Sequence, residues 1–398
     1  MPMRTRSAME YVAHERSSTT AIRSGGARDQ SDTGLEKASF AYLPALDGMR
    51  AVSVMLVLVA HAGLQRIVPG GLGVVVFFVI SGFLLTRQMI AEIEHAGTLN
   101  ARAFYLRRAF RLVPALIVYM LLFNLLLWSL GANIPAGSVL SGLFYWANYY
   151  SGFVHTSEKW SPNGILWSLA VEEHFYIVFP WVMIAFSRNL RKVIPVLGVV
   201  VMAVLIWRTI LHFTCASPPY SFVCGIPDTD RIFHGTDSII DCIAYGALAA
   251  LVLHYHTRAV RRTLIGRPML IAAATCLLAS LLIRNSLFRD TIRFSLQSAS
   301  VSILILNILF DRSGLQLKRA LSWPLSILVG RLSYSLYLFH FGVLMLILAL
   351  RQSTNLSFLP SVMAPYFIGS FACAGASYWL IEKPMVRVRR RIGAHTAS

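Results

Sequence analysis

Ten apolar stretches recur along this sequence, each close to the roughly 20 residues that cross the hydrocarbon core of a bilayer. They run approximately 46–64, 72–91, 112–130, 164–186, 193–211, 237–254, 268–283, 294–310, 329–350 and 361–381. Segments of this kind must satisfy their backbone polar groups internally, so they are expected as helices. Composition agrees: 56% of the 398 residues are hydrophobic and 14% are charged, against about a quarter charged in soluble domains. The expected fold is an all-α polytopic membrane bundle of about ten transmembrane helices. Residues 138–150 (SVLSGLFYWANYY) are apolar and aromatic but short, and read as an interfacial or re-entrant piece.

The formal net charge of +18 raises nucleic acid as a partner, but the distribution of the charges excludes it. With ten spans both termini share one side, and that side collects 28 of the 36 Lys and Arg. The other side keeps Arg66, Lys159, Arg208, Arg231, Arg284, Arg289, Arg293 and Arg351. Such asymmetry places both termini in the cytoplasm. Residues 1–40, rich in Ser, Thr, Arg and Gly with no apolar run, are expected to be a disordered cytoplasmic tail. Residues 41–390 would form the membrane domain, and 391–398 a basic cytoplasmic tail end.

Ionisable groups at membrane depth are costly and point to function. Asp47, Arg50 and His61 fall on the first span, Glu172, Glu173 and His174 on the fourth, Asp237 and Asp241 on the sixth, and His340 on the ninth. Arg50 and His61 are about three helical turns apart, so they share a face roughly 16 Å apart along the axis, with Asp47 nearly in phase. The antiparallel fourth span brings Glu172 to a depth comparable with His61. Isolated polar groups can simply glue helices together, whereas a stripe of this kind with a matching acidic pair reads as a site. His254 and His256 are two apart and share no helical face, so no metal site is expected there. Arg108 and Arg111, in FYLRRAFRLVP, share a face at the cytoplasmic start of the third span. They read as a positive-inside anchor or as a phosphate clamp. Of the five cysteines, Cys242, Cys276 and Cys373 lie in apolar runs. Cys215 and Cys224 flank ASPPYSFV in one outer connector, and read as a disulfide or as two free thiols.

These motifs together resemble the acyltransferase 3 family, membrane enzymes that move acyl groups from acyl-CoA to sugars and other hydroxyl acceptors. LPALDGMRAVSVMLVLVAHAG, with Arg50 and His61, is similar to the family's first helix, and GVVVFFVISGFLLT, with Ser81, Gly82 and Phe83, to its FFxxSGF segment. FYLRRAFRLVP resembles the family's RxxR motif, and ILWSLAVEEHFYIVFP resembles its WSLxxEExFY segment with Trp167, Ser168, Glu172, Glu173, Phe175 and Tyr176. LSYSLYLFH and IEKP match the closing motifs, with Tyr337, His340, Glu382 and Pro384. The sixth span departs from the pattern, because members often carry an Arg beside its Asp241. Arg231, the nearest candidate in sequence, lies ten residues earlier, and its role stays open. The chain resembles the stand-alone form of the family.

The resemblance implies an O-acyltransferase of the bacterial inner membrane with a pore-like active site. Acyl-CoA, acetyl-CoA by default, would be a donor substrate bound through Arg108 and Arg111, with no permanent cofactor and no metal. His61 would serve as general base or transient acyl carrier, with Glu172 orienting it and Arg50, Glu173 and Asp47 completing the catalytic group. Ser81, Trp167, Asp241, Tyr337 and His340 are candidates on the substrate side. The expected acceptor is a sugar or glycoconjugate such as O-antigen or another envelope polysaccharide. A macrolide-like molecule is an alternative, and a proton-coupled transporter is the competing class. Against a transporter stands the absence of an inverted repeat in the sequence.

Overall fold

The computed structural model describes residues 42–153, 161–215, 223–224, 231–312, 314–352 and 360–386. The tails expected at 1–40 and 391–398 lie outside these residues. Among the described residues every regular element is a helix and none is a strand. Ten principal helices carry the bundle: α1 (Pro44–Val59), α2 (Gly70–Ala96), α3 (Ala101–Ser129), α4 (Trp167–Ala185), α5 (Val193–Cys215), α6 (Asp241–Tyr255), α7 (Arg267–Leu282), α8 (Ile292–Phe310), α9 (Pro324–Leu350) and α10 (Pro360–Ser377).

Each apolar stretch read from the sequence falls on one of them. Seven helical segments, built on α1 to α5, α8 and α9, are long and apolar enough to cross a membrane by length and composition. A bent pair, Thr257–Thr263 followed by α7 at 73°, makes an eighth if counted as one span. The expected count of ten therefore exceeds the full-length helices seen, and the difference lies in α6, α7 and α10. In α6 the cause is visible. Its apolar run, 237–254, is broken at Ile240 between the short helix Thr236–Ile239 and α6, which leaves only 15 residues in α6 itself. The segment at 138–150 forms two short helices, Ala136–Leu143 and Ala147–Phe153, as its length requires.

Local chemistry sets the helix starts. Pro44 and Pro324 stand in the first turns of α1 and α9, where a missing N–H costs nothing, and Asp47 faces the positive end of the α1 dipole. Asn100 caps α3 by accepting from the Ala103 N–H at 2.9 Å. Burial then separates the helices. In α9 72% of the apolar window is enclosed, and in α2 67%, whereas in α5 it is 28%. Leu121, Leu125 and Trp128 on α3 and Val199, Met202 and Ile206 on α5 point outward. In water these rows would form an aggregation-prone patch, but in a bilayer they are the lipid-facing surface.

The centre is built on close helix crossings. A Cβ on Gly82 of α2 would stand 2.0 Å from the Ile243 carbonyl oxygen, and one on Gly246 of α6 would stand 2.0 Å from that of Val79. The two backbones therefore touch through reciprocal glycines, as small residues permit in membranes. The Ser-Gly-Phe segment is in this part a packing motif.

Two cavities and a histidine pair

Two cavities enter the bundle and share Tyr337 and Val74 as lining residues. The first, of about 150 Å³, lies toward the start of α1 and is lined by Arg50, Arg108, Arg111, Glu172, Glu173 and Ser81 among others. The second, of about 820 Å³, lies toward the end of α1 and is lined by His61, Trp167 and His234 among others. Arg50 and His61 thus both face the bundle interior, as their spacing requires, but they serve different cavities.

In the first cavity the arginine–glutamate arrangement is tight. Arg108 Nε donates to Glu173 Oε1 at 2.9 Å, and its Nη2 stands 3.7 Å from Glu172 Oε2. Its guanidinium carbon lies 3.2 Å from the centroid of the Tyr176 ring, which combines an ion pair with a cation–π contact. The Tyr176 hydroxyl donates to Glu172 Oε2 at 3.4 Å and is hydrogen-bonded to Ser81. Tyr176 therefore links Arg108 of α3, Glu172 on its own helix and Ser81 of α2. Among the ionisable lining residues are three arginines and two glutamates, an excess of one positive charge.

Glu172 was expected beside His61, and the structure places it elsewhere. Its carboxylate meets Arg108 and Tyr176, because the phase of α4 turns it toward α3. The neighbour of His61 is instead His340 of α9, with the two rings 5.2 Å apart. His61 sits in a π-helical turn, Ala60–Leu64, that ends α1, with Gly63 at φ 99° closing it. A turn of this type widens the helix locally and is frequent at functional sites. His340 is fully enclosed, and its Nδ1 lies 3.0 Å from the Leu336 carbonyl. His61 Nδ1 lies 3.0 Å from the Val57 carbonyl and 3.3 Å from His340 Nε2.

These contacts assign the tautomers. A carbonyl only accepts, so His340 carries its proton on Nδ1 and donates it to Leu336, leaving Nε2 bare. His61 Nδ1 then faces two acceptors and carries a proton as well. In the neutral ring the lone pair is on His61 Nε2, the atom a general base needs.

The remaining candidates separate clearly. Tyr337 lies between the cavities, its hydroxyl 2.5 Å from Ser168 Oγ. Trp167 packs against Phe233 and His234, with ring centroids at 4.8 and 4.6 Å, and lines the His61 cavity. Asp47 accepts from the Tyr42 hydroxyl at 2.5 Å near the start of α1 and lines neither cavity. Asp241, a substrate-side candidate, is sealed away from both. Arg208 of α5 holds it through two bonds at 3.1 and 2.8 Å, and Ser295 adds a third at 3.0 Å. The Arg missing beside Asp241 in sequence is thus supplied by α5, while Arg231 pairs with Asp237 at 2.6 Å. Cys215 and Cys224 are joined in a disulfide.

The chain is 28% identical over 315 residues to a provisionally named O-acetyltransferase of Staphylococcus aureus (strain COL), covering 76% of this chain and 51% of the relative. It is 27% identical over 362 residues to a provisionally named peptidoglycan O-acetyltransferase of Bacillus subtilis (strain 168), covering 86% and 55%. It is 24% identical over 363 residues to the peptidoglycan O-acetyltransferase of Listeria monocytogenes serovar 1/2a, covering 86% and 56%. The chain spans about half the length of these curated relatives. No solved structure matches it. The family model described as an acyltransferase domain matches residues 43–381, which takes in both cavities and the histidine pair, and the chain belongs to the acyltransferase 3 family.

Proposed function

We propose that this protein is a membrane-embedded O-acyltransferase that moves an acyl group, acetyl by default, from acyl-CoA to a hydroxyl of a sugar or glycoconjugate. The observation that carries the reading is the pair of cavities meeting at Tyr337 and Val74. One offers Arg50, Arg108 and Arg111 to an anionic donor on the side to which the charge asymmetry assigns the cytoplasm. The other holds His61 on the far side, open to an acceptor. The names of two relatives favour a peptidoglycan-type acceptor over O-antigen.

The chemistry follows from the tautomer. His61 Nε2 takes the proton of the acceptor hydroxyl as that oxygen attacks the thioester carbonyl. The carbon–sulfur bond then breaks, and the departing thiolate receives the proton from His61. His340 holds the His61 ring through Nδ1, and the Tyr337 hydroxyl stands at the meeting of donor and acceptor. Glu172 and Glu173 hold Arg108 on the Tyr176 face, and so shape the donor cavity.

The test is transfer of labelled acetyl from acetyl-CoA to peptidoglycan fragments by the purified protein in detergent. His61→Gln and His61→Ala should insert normally and lose transfer by at least the roughly 10²-fold typical of a general base. Near-normal transfer by His61→Gln would remove His61 from the chemistry.

A further inference from the structure

The positive-inside asymmetry has eight exceptions, and their positions are not random. Among the seven in the described residues, three lie away from the His61 cavity: Arg208 holds Asp241, Arg231 holds Asp237, and Arg351 donates to the Ser361 carbonyl at 3.0 Å. Lys159 lies outside the described residues. The other four, Arg66, Arg284, Arg289 and Arg293, all line the cavity that contains His61. Arg66 follows the π-helical turn of α1, Arg284 and Arg289 lie in the α7–α8 connector, and Arg293 stands in the first turn of α8.

No carboxylate is found among the described residues lining this cavity. Asp290, adjacent in sequence to Arg289, is held by His212 at 2.8 Å. Arg66, Arg284 and Arg289 are exposed, so their field acts at the mouth, where a concave, low-dielectric wall concentrates it. Trp167 and Phe233 add an aromatic wall beside the polar His234 and Gln297. The volume, about 820 Å³, lies within the range of small-molecule sites.

We propose that this cavity is the acceptor site and that it selects an anionic acceptor, a glycan bearing a carboxylate or phosphate group close to the hydroxyl that is acylated. The hydroxyl reaches His61 while the anion stays among the arginines at the mouth, whose planar forks suit either oxyanion. This rests on the O-acyltransferase reading and narrows its acceptor. A phospholipid headgroup carries the same oxyanion chemistry, so the test includes it.

The experiment measures binding, which needs no acyl transfer. The full chain in neutral detergent at low ionic strength is titrated with three probes: the disaccharide of N-acetylglucosamine and N-acetylmuramic acid, N-acetylglucosamine 6-phosphate, and chitobiose as the neutral counterpart. At least one charged sugar should bind about tenfold more tightly than chitobiose, the effect of two partly screened ion pairs. The gap should shrink with added salt. It should close in Arg284→Gln/Arg289→Gln and largely persist in Arg284→Lys/Arg289→Lys, which keeps the charge and controls for folding. Equal binding of charged and neutral sugars, or no detectable binding of a charged one, overturns the proposal. So does a gap that survives the Gln pair. In nanodiscs, loss of charged-sugar binding when phosphatidylglycerol replaces phosphatidylcholine assigns the arginines to headgroups and overturns it too. Charge discrimination without transfer activity would sink the enzyme reading and, with it, the acceptor assignment, leaving only the cavity's preference for anionic sugars. Equal transfer to both disaccharides, unchanged in the Gln pair, would do the reverse.

Discussion

Replacing His340 separates two roles that the histidine pair could play. In the arrangement described, His340 Nε2 is an acceptor for His61 Nδ1–H at 3.3 Å, and the Val57 carbonyl is a second acceptor at 3.0 Å. His340→Leu removes the first and leaves the second, at similar volume in a fully enclosed position. The loss is one neutral hydrogen bond, about 1 kcal/mol, which lowers the rate by roughly five- to tenfold. His340→Gln supplies an amide oxygen at the same reach and should recover to within about threefold, since most of that hydrogen bond is restored. Both effects should fall on kcat with KM for donor and acceptor unchanged, because His340 touches neither. The assay is initial-rate transfer from labelled acetyl-CoA, with thermal unfolding as a check on folding. A loss of a hundredfold or more in both variants would mean that His340 itself moves protons. An unimpaired Leu variant would mean that Val57 alone sets the ring.

Arg208→Leu should destabilise the fold by about 3–5 kcal/mol by leaving Asp241 buried and unpaired, and Arg208→Leu/Asp241→Leu should recover most of it in detergent melts. Arg111→Ala should raise KM for acyl-CoA, and unchanged donor affinity would return Arg111 to an anchoring role. Arg108→Ala should raise the same KM and also lower stability, because it strips Glu173 of its 2.9 Å partner, and Lys should rescue only partly without the guanidinium fork. Cys215 and Cys224 should react with a thiol reagent in folded protein only after reduction, and reaction of both beforehand would exclude the bond.

The helices were legible because a hydrocarbon slab imposes length and apolarity on each segment separately. The inward face of α1 was legible for a similar reason, since Arg50 and His61 are related by helical phase alone. Partners across the bundle were not. His61 meets His340 across 279 residues, and nothing in helical phase says which helix lies opposite. The same gap misassigned Glu172 to His61, when α4 turns it to Arg108, and left Asp241 without its Arg208. The arginines around the His61 cavity were visible singly as the minority of a topological count. Only folding shows that Arg66 and the α7–α8 connector converge. The available signal was the exception itself, since a basic residue on the outer side calls for a local reason.

The wall between the two cavities at Tyr337 and Val74 has an electrical consequence. A coupled membrane sustains its proton-motive force only while no continuous column of water joins its two faces, and a bundle hollowed from both ends comes close to providing one. A buried tyrosine ring, with its hydroxyl held by Ser168, stands as an insulator where the two cavities meet. Under the proposed function, a two-carbon group would be handed past the ring while coenzyme, glycan and ions stay on their own sides. Trimming Tyr337 to a small residue should therefore show itself first as leak, in dissipated pH gradients across proteoliposomes, rather than as slow chemistry.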